Sequence, residues 1–238
     1  MANRLSIVVA ATVAAAACSH QQKAPPKLDD SGLARLDEQQ MQPVDEARVE
    51  EGRARDAVAR SKANEADARA RLDVANTERG VADAQMKRAQ AERELLKKQY
   101  ANKDQMARAD EEVRAGQQRI QAADLKRAYL EKMVQVAQSD SQLAQAHLDT
   151  SQALTEQVKQ RAMKAADAPQ AQSVNAGELD SRVAQAQLRE AQLRKQAADQ
   201  RASAVDLYNR WQETDARVRM LARPEPLPVP PPTGEATR

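Results

Sequence analysis

A stripe of apolar residues, spaced alternately three and four positions apart, runs through the middle of this 238-residue chain. Thirteen of its eighteen positions are apolar, well above the 41% of hydrophobic residues in the whole sequence. A spacing of 3.5 residues that is held for about 60 residues is typical of a coiled coil. This middle stripe consists of Met106, Ala109, Val113, Gly116, Ile120, Ala123, Arg127, Leu130, Val134, Ala137, Ser141, Ala144, Leu148, Ser151, Thr155, Val158, Ala162 and Ala165.

Two more stripes with the same spacing flank the middle one. The first stripe, over 44–100, starts at Val44 with a step of three and is apolar at twelve of seventeen positions. The third stripe, over 179–221, starts at Leu179 with a step of four and is apolar at ten of thirteen. With no Phe, one Trp and three Tyr, the alanine-rich interior suits a narrow seam between close helices. The sequence therefore predicts an all-α fold, a long antiparallel coiled-coil hairpin with disordered or extended termini.

The helical region is predicted to span 44–222 and to turn near 166–178. That segment contains Pro169, which cannot continue a helix, and Gly177, which is typical of turns. A short connection makes two long amphipathic helices antiparallel neighbours. We therefore expect the third stripe to pack on the part of the middle stripe over 123–165.

A second turn is possible near 101–105, where the first and the middle stripe differ in phase. The residues Ala-Asn-Lys-Asp-Gln there include neither Gly nor Pro, so the turn signal is weak. We expect one continuous helix over 44–165, which would be about 180 Å long at 1.5 Å per residue. A fold-back at 101–105 stays open, and without it the first stripe needs a second chain to cover it.

Residues 1–17 have the pattern of a secretory signal peptide. Arg4 precedes a mostly apolar run over 5–17, which is shorter than the stretch of about 20 residues that spans a bilayer. Cys18 follows this run and is the only cysteine of the chain, so it cannot form an intramolecular disulfide. The mature protein is therefore expected to lack 1–17.

The sequence Ala15-Ala16-Ala17-Cys18 resembles the lipobox of bacterial lipoproteins, with Ala15 where that family usually has Leu. The resemblance implies that Cys18 carries the lipid and is the first residue of the mature protein. Ser19 stands where lipoproteins retained in the inner membrane usually have Asp. The resemblance therefore implies a protein that is lipid-anchored in the outer membrane and faces the periplasm.

Both ends of the helical region are predicted to be extended segments. Residues 18–43 are polar and contain prolines, which predicts a flexible tether with room for one short helix over 33–41. Pro43 then suits the first turn of the long helix. At the other end, the Pro-rich tail over 223–238 is expected to adopt polyproline II. It is either a docking segment for an envelope partner or a solubilising end, and the sequence favours neither.

No arrangement of residues in the sequence indicates catalysis, a metal site or a cofactor. The two histidines, His20 and His147, lie far apart, and neither has a second ligand at a useful spacing. The 37 basic and 35 acidic residues are interleaved, so no basic face for nucleic acid is visible. We therefore expect a protein that is not an enzyme and that binds neither nucleic acid nor a small-molecule substrate.

Residues 175–193 resemble the returning helix of the α-helical hairpin in periplasmic adaptor proteins of tripartite efflux and secretion systems. The resemblance implies docking through the turn near 166–178, but we find no lipoyl-like or β-barrel segment of a complete adaptor. The lipobox-like sequence and the heptad spacing also resemble those of the small murein lipoprotein. Arg238, however, stands where that family has the lysine that links it to peptidoglycan. Trp211 lies in the third stripe, where packing is favoured over a partner contact. The possible partner contacts are Pro169, Ser173, Gly177 and Trp211.

The leading hypothesis is a structural or scaffold lipoprotein that is anchored at Cys18 and reaches into the periplasm with its helical hairpin. Its partners would be the membrane, through the lipid, and envelope proteins or further copies of itself, through the coiled coil. The alternative is an accessory subunit of a trans-envelope efflux or secretion machine that docks through the turn of the hairpin near 166–178.

Overall fold

The computed structural model describes residues 28–172 and 174–221, and every regular element within them is helical. At 1.5 Å per residue, α1 and α2 are each about 90–95 Å long, and α3 is about 70 Å long. The predicted all-α antiparallel hairpin is confirmed. The elements are a 3-10 helix (Asp30–Arg35), α1 (Glu38–Lys98), α2 (Lys103–Ala165), a second 3-10 helix (Pro169–Gln172) and α3 (Ala176–Leu221).

The middle helix, α2, packs against both of the others, whereas the backbones of α1 and α3 stay apart in the described residues. α1 runs antiparallel to α2, and Arg93 of α1 forms an ion pair with Asp110 of α2. α3 runs antiparallel to α2 on a different face, where the rings of Trp211 and Tyr129 stack. Trp211 lies opposite Tyr129 and α3 ends ten residues later, so about 16 residues at the start of α2 extend beyond α3. We refer to residues 83–120, where only α1 and α2 pair, as the two-helix arm.

The chain turns between α1 and α2, so the predicted continuous helix over 44–165 is wrong. Asn102 begins α2 with a capping box. Its side chain accepts a hydrogen bond from the backbone N–H of Gln105 at 2.9 Å, and the Gln105 side chain accepts one from the N–H of Asn102 at 3.1 Å. This capping box marks the turn, although the segment 101–105 contains neither Gly nor Pro. The turn brings the first stripe onto α2 of the same chain, which covers it without a second chain.

The first and the middle stripe face each other. Every position of the first stripe over 44–96 is buried or half-buried. Leu148 of the middle stripe forms a buried cluster with Ala54 and Val58 of α1. α3 folds back on the part of α2 over 123–165, as predicted, where Trp211 stacks on Tyr129 and Asp180 pairs with Arg161. The predicted face is wrong, because α1 already covers the middle stripe there. α3 uses the third stripe, but it packs on a second face of α2.

That second face of α2 is built from small and hydroxyl-bearing residues, among them the buried Ser139, Ala146, Thr150 and Ala153. The hydroxyl of Thr150 donates to the backbone carbonyl of Ala146 at 3.0 Å, one turn earlier in the same helix. Such a bond satisfies the hydroxyl without a partner from α3. The face keeps the spacing of three and four residues, but many of its positions are polar, so it is less apolar than the middle stripe.

The turn between α2 and α3 lies within the predicted range 166–178. α2 ends at Ala165, and Pro169 begins the second 3-10 helix. The side chain of Asn175 accepts a hydrogen bond from the backbone N–H of Gly177 at 2.9 Å, next to the start of α3. The polar residues of this segment therefore end one helix and start the next.

Part of the predicted flexible tether has regular structure. Within 28–43, a 3-10 helix occupies Asp30–Arg35 and α1 already begins at Glu38. The separate short helix expected over 33–41 does not exist, and Pro43 lies in the second turn of α1 rather than in its first. The predictions for 1–27 and for 223–238 concern residues outside the described part of the chain.

Candidate interaction surfaces

One end of the molecule, which we name the base, brings the N-terminal segment onto the turn between α2 and α3. Leu28 and Leu33 are buried there in one cluster with Met163 of α2 and Ala171 of the turn. Met163 is fully buried, with 0% of its surface exposed. Apolar burial therefore holds the first described residues at the base.

A largely buried ionic cluster holds the same segment. Lys159 of α2 is only 8% exposed, and its ammonium lies 2.9 Å from Asp30 and 3.2 Å from Glu156. Glu156 also accepts a hydrogen bond from the backbone N–H of Leu28 at 2.9 Å. Burial lowers the pKa of Lys159, but the hydrogen bonds to Asp30 and Glu156 outweigh it and hold this pKa above its ordinary value of 10.5. Lys159 is therefore a charged tie between α2 and the N-terminal segment.

The opposite end, which we name the tip, is the turn between α1 and α2. α1 ends in a Schellman motif, in which the N–H of Ala101 donates to the carbonyl of Leu96 at 3.1 Å. Tyr100 occupies the left-handed position of this motif, with φ = 52°, and is 95% exposed. That conformation costs a residue other than glycine about 1–2 kcal/mol, and an exposed ring recovers nothing by burial. An exposed aromatic residue in a strained position is a candidate contact residue.

The side chains next to Tyr100 add apolar surface and positive charge to the tip. Leu95 is 54% exposed. Lys97, Lys98 and Lys103 flank the turn and are exposed as well. The tip therefore combines exposed apolar surface with positive charge.

Three of the four aromatic residues of the chain meet where α3 packs on the middle of α2. The ring centroid of Tyr129 lies 5.3 Å from that of Tyr208 and 5.7 Å from that of Trp211. The Nζ atom of Lys126 lies 5.9 Å from the centre of the Trp211 ring. Each aromatic pair contributes about 0.5–1.5 kcal/mol beyond its area burial. This aromatic cluster therefore holds α3 on α2.

The predicted partner contacts do not lie together. Pro169 and Gly177 are exposed at the base. Trp211 is half-buried in the aromatic cluster, more than 30 residues farther along α3. Ser173 and the predicted lipidation site, Cys18, lie outside the described residues. The base and the aromatic cluster are thus two separate surfaces.

Sequence reasoning misses two residues of these surfaces. Tyr129 lies outside the middle stripe, so the spacing gives it no role, although it stacks on Trp211. Tyr100 is the last position of the first stripe, which predicts a packing residue and not an exposed one. The only available signal is that a stripe made largely of alanine ends in a large aromatic residue.

His147 links the three helices and has two acidic neighbours. Its Nδ1 atom lies 3.3 Å from Glu190 of α3, and its Nε2 atom lies 3.8 Å from Glu50 of α1. Glu190 is 9% exposed and also pairs with Arg194 at 2.9 Å. Over 28–172 and 174–221, no group of three or more His, Cys, Asp or Glu side chains could hold a metal ion. His147 is therefore best understood as a polar cross-link.

Comparison with known proteins adds no assignment. The sequence matches no protein-family model, and no curated protein and no solved structure is significantly similar to it. In the described part of the chain, no helix combines the length and the apolar character that crossing a bilayer requires.

Proposed function

We propose that this protein is a scaffold lipoprotein, anchored in the outer membrane, that presents a contact site to envelope partners at the tip of a helical arm. The placement of the N-terminal segment supports this most strongly. Leu28 is held at the base by Glu156, and Tyr100 lies at the tip, about 80 Å away along α2. Cys18 precedes Leu28 by only ten residues. A lipid on Cys18 would place the base next to the membrane and the tip far from it.

A second candidate function is an accessory subunit of a trans-envelope efflux or secretion machine. The exposure of Tyr100 favours it, because an exposed aromatic residue at the end of a long hairpin is a suitable docking point. In this version the docking point is the tip and not the turn near 166–178, which lies at the base together with Leu28.

The lipid anchor is tested by globomycin, which blocks lipoprotein signal processing. Treated cells should accumulate a larger precursor, and Cys18→Ala should release the protein from the outer-membrane fraction. Cys18→Ser also lacks the thiol and should behave in the same way, which would show that the thiol itself is required. Normal maturation under globomycin would exclude the lipid anchor. It would not affect the proposed contact site at the tip, which is tested separately.

The role of the arm as a spacer is tested by its length. Deleting 85–91 together with 111–117 removes one heptad from each helix and keeps both stripes in phase. The deletion also removes Met86 and Gly116 together, and these two residues contact each other. The arm becomes about 10 Å shorter. A photo-crosslinker at position 103 should then lose the partner that it captures in the full-length arm. Capture of the same partner at the same yield would contradict a spacer.

Tyr100→Gly separates loss of contact from loss of fold. Glycine suits the left-handed position, so this variant should fold with equal or higher stability, by about 1 kcal/mol. Crosslinking from position 103 should nevertheless fall. Capture of a channel or pump component would favour the machine, whereas capture of peptidoglycan-associated proteins or of the chain itself would favour the scaffold. Unchanged crosslinking would remove Tyr100 from the contact site.

A further inference from the structure

An open apolar groove lies between α1 and α3, over α2, next to the aromatic cluster. Its volume is about 750 Å³. Leu130 and Met133 line it from α2, Val74 from α1, and Tyr208 and Trp211 from α3. Val74 is 58% exposed and Tyr208 is 42% exposed. This aromatic groove therefore presents apolar side chains to solvent from both of its walls.

We propose that the C-terminal tail of the same chain, residues 224–232, binds in the aromatic groove. The tail reads Pro-Glu-Pro-Leu-Pro-Val-Pro-Pro-Pro, with six prolines in nine residues. Polyproline II segments dock in grooves lined by aromatic side chains, because they are preformed and lose little entropy on binding. Leu227 and Val229 supply the apolar side chains that contact the rings.

The tail starts close enough to reach the groove. α3 ends at Leu221, ten residues after Trp211, which is about 15 Å along the helix axis. In polyproline II, at about 3.1 Å per residue, 224–232 spans about 28 Å. The α2 residues that line the groove run from Lys126 to Asp140, a length of about 21 Å. A tail that reverses direction just after α3 therefore reaches the aromatic cluster and covers most of the groove.

Two observations favour the chain's own tail over a second copy as the occupant. The N-terminal segment is a precedent within the molecule, because Leu28 and Leu33 already pack on the helices at the base. A tail that is attached near its groove also acts at an effective concentration of about 1 mM. A second copy must associate from a far lower concentration and also lose its translational freedom.

The fluorescence of Trp211 tests the proposal, because Trp211 is the only tryptophan of the chain and lines the groove. In the full chain, Leu227→Ser combined with Val229→Ser should shift the emission to longer wavelength and increase quenching by acrylamide. A chain that lacks only 233–238 is the matched control. It keeps 224–232 and should have the emission of the intact protein.

A synthetic peptide of residues 222–233 completes the test. It should bind to a chain that lacks 224–238 and should return the Trp211 emission to that of the intact protein. The peptide with Leu227→Ser and Val229→Ser should bind at least about ten-fold more weakly. The full chain should resist the peptide, because its own tail fills the groove.

Three results would overturn the proposal. One is identical Trp211 emission and quenching in the full chain and in its Leu227→Ser, Val229→Ser variant. Another is failure of the 222–233 peptide to bind the shortened chain. The third is a Trp211 signal that changes with protein concentration in the full chain, because it would assign the groove to a second copy.

Discussion

The two-helix arm and the three-helix part of the molecule bury the same helix to very different extents. Ala109 and Gly116 are the buried residues of α2 in the arm, and the other thirteen lie between Ala122 and Met163. The difference comes from α3, which covers a second side of α2. Because apolar burial is the main source of stability, the free energy of folding is concentrated towards the base. The arm lengthens the molecule, but it lacks the burial that a third helix provides.

The arm is held in register by charge and close approach rather than by buried area. The Arg93 guanidinium donates to Asp110 across the two helices, and this bond raises the pKa of Arg93. Nearby, a methyl group on Gly116 would lie 3.1–3.2 Å from atoms of Met86, its backbone included. The arm therefore pairs α1 with α2 specifically while it buries little.

The largest expected difference is between two methionines. Met163→Ala removes a fully buried side chain at the base and should lower the free energy of unfolding by about 2–5 kcal/mol. Met86→Ala, at a half-buried position in the arm, should lower it by less than half as much. Denaturation in urea measures both. Equal losses would show that the arm is as tightly packed as the base.

The ionic cluster at the base should matter more than an ion pair on the surface. Lys159→Met leaves Glu156 without its cation and should cost about 1.5–3 kcal/mol. The control is Lys87→Met, where the lysine side chain is 69% exposed and pairs with Asp83, and no measurable loss is expected. Proteolysis should become faster at 28–36 in the first variant only. Slow proteolysis in both variants would show that apolar burial alone holds the segment.

The contribution of Lys159 should also depend on pH. Its pKa is higher in the folded protein than the ordinary value of 10.5, so the folded state binds this proton more tightly. The stabilisation is therefore complete below pH 10.5 and is lost as the pH rises through the raised pKa. The difference in unfolding free energy between the wild type and Lys159→Met measures it. A difference that persists unchanged at higher pH would contradict the ionic tie.

The smallest effect separates two helical glycines. Gly80→Ala should stabilise the protein by up to about 1 kcal/mol, because alanine is the better helix former and the new methyl group meets nothing within 4 Å. Gly116→Ala should bring no gain or a loss, because its methyl group would crowd Met86. Thermal unfolding measures both. An equal rise in Tm would show that the two helices of the arm are farther apart than described.

The spacing of the stripes predicts one buried face of each long helix, even where the residues are charged. Arg79 and Arg93 occupy positions of the first stripe and are half-buried, because the periodicity and not the residue type determines the face. The turn at the tip is not predictable in this way. A tyrosine instead of a glycine takes the left-handed position there, and the start signal of α2 is a pair of side-chain hydrogen bonds.

The remaining features have too few apolar residues for the sequence alone to reveal them. The second face of α2 is buried through residues such as Ser139 and Thr150, which also suit an exposed surface. Leu28 and Leu33 are isolated apolar residues in a polar segment, so only the structure places them on Met163. Among the surface residues, Trp211 can be selected from its stripe, whereas the exposure of Tyr100 depends on where the helix ends.

The fold-back at the tip has a mechanical consequence. A tension between Leu28 and Tyr100 is applied across the two ends of α1, so it acts along the helix axis and loads the backbone hydrogen bonds of α1. A turn of α1 that lengthens must also slide along α2, so the contacts between the two helices resist the same force in shear. A force that pulls α1 and α2 apart at the base would instead open them one turn at a time. The arm therefore resists stretching along its length far better than it resists peeling.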